Sequence, residues 1–163
     1  MTGKTEFLDA YDRYADALYR HCFFRVFSKA RAEELTQETF MKAWEYLAEG
    51  KEVQHVRAFL YRIANNLLID ESRKKKEVSL DALLEESNAF EPSYGGENDM
   101  ERKVLIHEVI EGFKCLDRDE RTVLVMRYLD DLDPKEIAEI LGMTANNVSV
   151  RMNRALKKVR KEL

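Results

Sequence analysis

Hydrophobic residues recur every three or four positions along most of the chain, a period that is typical of α-helices. In the first half, this pattern predicts helices over about 5–27, 30–48 and 55–75. Each helix has one apolar face. The faces comprise Phe7, Tyr11, Tyr14, Leu18, Cys22 and Val26; Leu35, Thr39, Phe40, Ala43, Trp44 and Leu47; and Val56, Phe59, Leu60, Ile63 and Leu67. Three helices with a shared core predict a compact first domain over residues 1–76.

The helical pattern fails between residues 77 and 98, where acidic residues accompany a proline and a glycine pair. This composition predicts a flexible acidic linker. A second domain with four helices is predicted over 99–163. On its first helix, one stripe is predicted to include Val104, Leu105, Glu108, Val109 and Phe113. The next should begin with a capping box between Asp117 and Glu120 and carry Val123, Leu124, Met126 and Tyr128.

The last two helices carry strong start and stop signals. Asp133 is a predicted N-cap, Pro134 suits the first helical position, and Glu136 would complete a capping box. Gly142 predicts a left-handed stop, because only glycine adopts that conformation without steric cost. Thr144 is the predicted cap of the final helix.

The spacing across this pair is typical of a helix-turn-helix. Ala138 is small where two helices approach closely, Gly142 lies in the turn, and Val148 can pack back on the first helix. The final helix also exposes Asn and Arg, which read base edges, and Lys, which neutralises phosphates. A solvated basic face would explain the charges alone. Together with the caps and the spacing, they favour DNA recognition.

Charge is unevenly distributed along the chain. The net charge is −4, but eight acidic residues and no Lys or Arg lie between Glu77 and Glu101. The last twenty residues carry six Lys or Arg and one Glu. A concentrated basic segment is compatible with nucleic-acid binding despite the acidic total. Scarce Gly and Pro, with almost no β-rich runs, predict an all-α fold.

Candidate chemistry other than nucleic-acid binding is sparse. The two cysteines are predicted to be reduced and buried, and the three histidines incidental surface or boundary residues; these are Cys22, Cys115, His21, His55 and His107. We predict no metal, no cofactor, no catalytic residues and no enzymatic activity. No apolar run reaches bilayer length and no signal peptide is present, which predicts a cytoplasmic protein without membrane insertion.

Three segments carry a resemblance to a known family: AEELTQETFMKAW at 32–44, AFLYRIANNLLIDESR at 58–73 and LDRDERTVLVMRY at 116–128, followed by the helix-turn-helix. In order and spacing, the chain resembles a bacterial sigma factor of the extracytoplasmic-function (ECF) group, within the sigma-70 superfamily. The resemblance covers about residues 9–75 and 100–161, which correspond to the family's regions 2 and 4. It implies a three-helix region 2 and a four-helix region 4 with the helix-turn-helix.

This resemblance implies a subunit that directs core RNA polymerase to promoters and opens the DNA there. Its implied partners are core polymerase, through the β′ clamp helices and the β flap, promoter DNA, and an anti-sigma factor. The second helix would dock on the clamp helices through Glu34, Leu35, Gln37, Glu38 and Phe40. Leu35 and Phe40 can equally be core residues, and for Phe40 and Trp44 we favour the core. For Gln37 and Glu38 we favour the interface.

Region 2 in the family also captures a flipped base of the minus-ten element, a step that costs a few kcal/mol. By resemblance, the pocket lies in residues 50–57 and along the third helix, with DNA contacts from Arg57, Arg62, Asn66, Arg73 and Lys74. Two positions depart from the family pattern. Phe59 replaces the usual Trp, and Asn65 replaces the usual Arg.

Region 4 would read the minus-thirty-five element in the major groove. The implied contacts are Thr144, Asn146, Asn147, Ser149, Val150, Arg151, Asn153, Arg154 and Lys157. Asn146 and Asn147 stand where the family more often has Gly-Thr. Arg151 can hold either a phosphate or an acidic residue of a preceding helix, and Val150 can read only a thymine methyl or shape.

Two other functions compete with the sigma-factor hypothesis. A stand-alone helix-turn-helix regulator would bind DNA tightly without polymerase and would need its own dimerisation or ligand domain. A nucleic-acid enzyme would need a carboxylate cluster, a phosphate loop or a metal set, none of which the sequence shows. Asp70 and Glu71 are better explained as surface partners of the basic third helix.

Overall fold

The computed structural model describes residues 3–74, 99–113 and 115–162, and the linker predicted at 77–98 lies outside these ranges. The described residues form helices and connecting turns. The helices are α1 (Lys4–Val26), α2 (Lys29–Ala48), α3 (Val56–Lys74), α4 (Asp99–Phe113), α5 (Arg118–Leu124), α6 (Pro134–Leu141) and α7 (Ala145–Glu162). A π-helical turn, Val125–Leu129, continues directly from α5. The all-α prediction is confirmed.

In the first domain, α1, α2 and α3 pack against one another, and their buried residues belong to one hydrophobic cluster that continues into the second domain. The break between α1 and α2 is at Phe27, which adopts a left-handed conformation with φ 52° and bonds its N–H to the carbonyl of Phe23. Ser28 then caps α2 by accepting a hydrogen bond from the N–H of Arg31. The helix therefore ends one residue before the predicted boundary at residue 27. Phe27 is fully buried among aromatic rings, which holds it in this uncommon conformation.

Several predictions about this core were wrong. Tyr11 and Trp44 are about two-fifths exposed, although their rings touch Phe40 and Phe7. They border the core because the apolar arc of each helix is wider than the surface that its neighbours cover.

Three polar residues are buried, and two of them, His21 and Glu71, were predicted at the surface or a boundary. His21 is fully buried, Asn65 accepts a hydrogen bond from Arg25, and Glu71 pairs with Arg31. Each has a partner far away in the sequence, which helical periodicity does not reveal.

In the second domain, the capping box at the start of α5 is confirmed. Asp117 accepts from the N–H of Glu120, and the Glu120 carboxylate accepts from the N–H of Asp117. Of the stripe predicted on α4, Val104, Leu105 and Glu108 are exposed, whereas Phe113 is buried. Tyr128 is also exposed rather than packed inward.

The two domains contact one another. The π-helical turn lies against α1, and α6 lies against α3. In this turn, each backbone hydrogen bond joins residues five positions apart, rather than four as in an α-helix. The N–H of Asp130, for example, donates to the carbonyl of Val125. Among the described residues, no helix combines the length and apolar character that a bilayer crossing requires.

Candidate nucleic-acid and polymerase interface

The helix-turn-helix forms from the local signals in its sequence. Asp133 accepts a hydrogen bond from the N–H of Glu136, and Pro134 occupies the first turn of α6. Gly142 ends α6 in the left-handed conformation with φ 67°. Thr144 accepts from the N–H of Asn147 and so caps α7. The predicted return contact of Glu136 to the Asp133 backbone is not formed, because the Glu136 carboxylate instead faces the guanidinium of Arg57 at 3.6 Å.

Close packing of α6 on α7 turns one face of α7 outward. Ala138 and Val148 are buried at the crossing, as predicted from their spacing, and Ala155 is buried further along α7. The opposite face follows intervals of three and four residues and is exposed; it comprises Asn146, Asn147, Val150, Asn153, Arg154 and Lys157. This face combines amides, a guanidinium and an ammonium with one apolar side chain. Those are the groups that contact base edges and phosphates.

The other predicted contacts of this helix differ in their surroundings. Thr144, just before α7, is exposed but its hydroxyl accepts the capping hydrogen bond, and Ser149 is half-buried. Arg151 forms an ion pair with Asp119 at 3.0 Å, so the structure favours the alternative in which Arg151 holds an acidic residue. That residue lies on α5.

Lys158 attaches α7 to the capping box of α5. Its ammonium donates to both carboxylate oxygens of Glu120, at 2.7 and 2.9 Å. The hydrogen bonds that Lys158 donates to Glu120 raise the pKa of Lys158. Glu120 is nearly buried and also caps its own helix. This carboxylate therefore fixes the start of α5 and its contact with α7.

On the first domain, a surface cavity overlaps the predicted pocket at residues 52–55 and at Arg62, but its lining does not include Arg57 or Asn66. It lies between the end of α2, the loop that follows, and α3. Its lining comprises Tyr46, Glu52, Val53, Gln54, His55, Ala58, Phe59, Arg62 and, from α6, Glu139. Phe59 packs on Tyr46 with 5.0 Å between ring centroids, so the position where the family has Trp supports one wall.

The predicted minus-ten contacts lie along α3 but differ in their surroundings. Asn66 and Arg73 are exposed, whereas the side chain of Lys74 lies outside what the structure describes. Arg62 donates a hydrogen bond to the carbonyl of Glu139 at 2.9 Å. Arg57 donates to the carbonyl of Asp130. Two of the predicted DNA-binding cations therefore face the second domain.

The predicted docking residues on α2 divide into two groups. Leu35 and Phe40 are buried, so the structure identifies them as core residues that support the surface rather than form it. Glu34 and Gln37 are exposed and Glu38 is half-buried. Glu34 is paired with Arg31 at 2.7 Å.

An apolar patch beside this face was missed in the sequence. We use the name α1–α2 apolar patch for Leu8, Tyr11, Met41 and Trp44, each at least two-fifths exposed. Met41 and Trp44 follow Gln37 by four and seven residues, so the three lie on one stripe of α2. An exposed apolar cluster of this kind is typical of a protein-binding surface. The four- and seven-residue intervals from Gln37 to Met41 and Trp44 would have predicted this exposed stripe from the sequence.

The remaining chemistry of the described residues is structural. Cys22 is buried and Cys115 half-buried, and both are free. Burial raises the pKa of Cys22 to about 12, which keeps its thiol protonated at neutral pH. Within residues 3–74, 99–113 and 115–162, no group of three or more His, Cys, Asp or Glu could hold a metal ion.

Comparisons with known proteins agree with this geometry. Residues 10–78 match the family described as Sigma-70 region 2, and residues 106–159 match Sigma-70, region 4. The ECF RNA polymerase sigma factor SigW of Bacillus subtilis is 32% identical over 96% of this chain and 88% of its own. SigM of the same organism is 30% identical over 93% of this chain and 91% of its own.

A solved structure shares the fold over nearly the whole chain. It is the sigma factor RpoE of Bartonella quintana, determined in complex with the anti-sigma factor NepR. The two superpose with a TM-score of 0.73 at 19% identity, covering 98% of this chain and 97% of the other. With both sigma-70 regions matched and relatives aligned over most of their length, this chain belongs to the ECF group of the bacterial RNA polymerase sigma factors.

Proposed function

We propose that this chain binds core RNA polymerase and directs it to a class of two-part promoters. The observation that carries the proposal is the presence in one chain of two surfaces suited to DNA. These are the exposed Asn, Arg and Lys face of α7, and the cavity bordered by Arg62 on α3. The first suits base edges in a major groove, and the second suits an extruded base and its backbone.

For the minus-thirty-five element, Asn153 and Arg154 contact base edges, because both are exposed near the centre of the α7 face. Asn146 and Asn147 approach the DNA at the N-terminus of this helix, where backbone N–H groups also favour phosphate. Each good bidentate contact contributes about 1–3 kcal/mol of discrimination. Lys157 neutralises a phosphate rather than reading sequence.

For the minus-ten element, the cavity accepts a flipped base of the single strand. Tyr46 and Phe59 supply aromatic walls, and base stacking on such rings contributes about 1–3 kcal/mol per base. Arg62 at the edge offers a cation to the backbone. Asn66 and Arg73, exposed further along α3, continue this path. Binding of the extruded base offsets the cost of DNA melting.

For core polymerase, the docking surface is the exposed part of α2 around Gln37 and Glu38, extended by the α1–α2 apolar patch. Acidic and apolar groups together suit a basic helical partner such as the β′ clamp helices. Val104, Leu105 and Tyr128 are exposed apolar residues of the second domain. They supply the contact with the β flap.

An anti-sigma factor regulates this activity by covering both domains. The support is the fold match with a sigma factor solved in complex with an anti-sigma factor, together with the exposed apolar residues on each domain. The protein works in the cytoplasm, where its polymerase is, and has no catalytic role of its own.

The test is co-elution of the purified chain with bacterial core RNA polymerase, followed by sequencing of the transcripts that the complex initiates. Stable co-elution, with start sites behind one shared two-part promoter, supports the proposal and reports the target sequence. Tight DNA binding by the chain alone, without co-elution, would instead support a stand-alone regulator.

A further inference from the structure

The contact between the two domains uses polar groups that are fully removed from water. His21 of α1 and Asp130, which follows the π-helical turn, lie 2.6 Å apart, with side chains 0% and 1% exposed. Burying polar or charged groups is costly unless each finds a partner. In an extended arrangement of the domains, both groups would be hydrated. Their pairing therefore specifies one closed arrangement rather than merely filling space.

Tyr61 of α3 completes this buried cluster. Its ring lies edge-on to the His21 imidazole, with 5.1 Å between centroids, and is 1% exposed. Burial and, to a smaller extent, the Asp130 carboxylate raise the pKa of the Tyr61 phenol. Two residues of the first domain thus surround one residue of the second. A contact with such defined buried partners fixes the relative position of the two domains, whereas a flexible tether alone would not.

The rim of the same contact engages Arg57 and Arg62. Arg57 donates to the Asp130 carbonyl and faces the Glu136 carboxylate at 3.6 Å. Arg62 donates to the Glu139 carbonyl at the end of α6. These are two of the cations assigned above to minus-ten DNA. In the closed arrangement, carbonyl and carboxylate oxygens of the second domain engage both guanidiniums, which would have to leave these partners in order to bind phosphates.

The cavity on the first domain is affected in the same way. Glu139 of α6 is part of its lining, although the other lining residues all belong to the first domain. A carboxylate at the edge of a DNA-binding cavity repels an incoming phosphate. Closure therefore obstructs both the cations and the pocket.

We propose that the chain inhibits itself when free: the second domain, held by the His21–Asp130 pair, covers Arg57, Arg62 and the cavity against single-stranded DNA. This inference rests on the proposed function, because it concerns regulation of the same site. The binding-competent population is the open fraction, and the apparent affinity for DNA is reduced by that fraction. Separation of the domains on core polymerase would expose the site.

The test compares the full chain with Asp130→Ala by small-angle X-ray scattering and by binding to fluorescein-labelled oligo(dT) of twenty nucleotides. Asp130→Ala should enlarge the radius of gyration and tighten oligo(dT) binding by about tenfold, because a shift of the closed population raises the apparent affinity directly. The matched control is Asp131→Asn. Asp131 is exposed, and Asn tolerates its positive φ of 54°.

A second variant tests the same contact independently, in case Asp130→Ala does not fold. Glu136→Lys places a cation opposite Arg57 on a partly exposed side chain, and its helix cap uses only the backbone N–H of residue 136. It should also enlarge the radius and tighten binding. Adding Arg62→Ala to either variant should remove most of the gain in oligo(dT) affinity.

An unchanged radius and unchanged affinity in Glu136→Lys and in folded Asp130→Ala would overturn self-inhibition. So would a wild-type chain that is already extended in solution. Co-elution with core polymerase is measured separately. Its failure would overturn the proposed function, whereas the scattering result would still report whether the closed contact exists.

Discussion

The guanidinium of Arg151 lies 3.0 Å from the carboxylate of Asp119, which ties the middle of α7 to the start of α5. Arg154, three residues further along the same helix, is exposed. Two arginines one helical turn apart therefore have different surroundings. Arg151 is paired within its own domain, and Arg154 is exposed to solvent.

We expect Arg154→Ala to weaken minus-thirty-five recognition by about 1–3 kcal/mol, the usual cost of a lost bidentate base contact. Arg151→Ala is the matched control and should cost less, since its partner in the free protein is Asp119. Both are measured as binding of the complex with core polymerase to promoter DNA. Equal losses in the two variants, or a parallel loss of polymerase binding, would indicate that Arg154 acts structurally.

Gln37→Ala combined with Glu38→Ala should weaken binding to core polymerase while leaving the helical circular dichroism and melting temperature near wild type. These side chains are exposed and half-buried, and the core beneath them consists of Leu35 and Phe40. The readout is titration of core polymerase with the labelled protein.

The control for this pair is Asp12→Ala with Asp16→Ala, which removes two exposed carboxylates from α1. It should bind polymerase like the wild type. If the double variant on α2 also retained full affinity, this part of α2 would not be the docking surface.

Glu120→Ala should lower the free energy of unfolding by about 1–2 kcal/mol, since it removes half of a capping box and leaves the start of α5 less well satisfied. It also removes the partner of Lys158, so α7 should become more mobile relative to α5. Urea denaturation measures the first effect, and amide hydrogen exchange in α7 measures the second. Glu108→Ala, at an exposed position of α4, is the comparison variant and should stay within about 0.5 kcal/mol of wild type.

Cys22 predicts a loss of stability at alkaline pH. Burial raises its pKa from 9.0 to about 12 in the folded chain, against smaller opposing effects of Thr36 and Arg25. A group whose folded pKa is raised stabilises the fold below its unfolded pKa, and this contribution is lost as pH rises toward the folded value. Stability should therefore fall between about pH 9 and 12.

The contribution from one such thiol is at most about 1.4 kcal/mol per pH unit. Urea unfolding at pH 8 and pH 10.5 should show a shallower decline in Cys22→Ala than in the wild type. The comparison uses the change in unfolding free energy between the two pH values. The destabilisation caused by the smaller alanine side chain is the same at both pH values and therefore cancels. The same decline in both proteins would assign the alkaline sensitivity to other groups.

Sequence reasoning succeeded where structure is determined locally. The caps at Asp117, Asp133 and Thr144 and the left-handed Gly142 depend on residues within a few positions of each other, and all four formed as predicted. The burial of Ala138 and Val148 between the two helices follows from the same short spacing.

It failed where the partner is distant in the chain. His21 pairs with Asp130 across 109 residues, and Glu71 pairs with Arg31 across 40. Hydrophobic periodicity shows which side of a helix is apolar but not how much of that side is covered. This is why Tyr11 and Trp44 were placed in the core. The individual DNA and polymerase contacts stay predictions.

The π-helical turn at Val125–Leu129 changes the direction, around the helix axis, in which the following side chains point. An α-helix advances about 100° per residue, so one additional residue in a turn rotates everything after it by roughly that angle. The meeting of Asp130 with His21 is therefore encoded by a residue count as well as by residue identity. Among relatives, the length of this segment would distinguish chains able to close in this way more reliably than an aligned aspartate would.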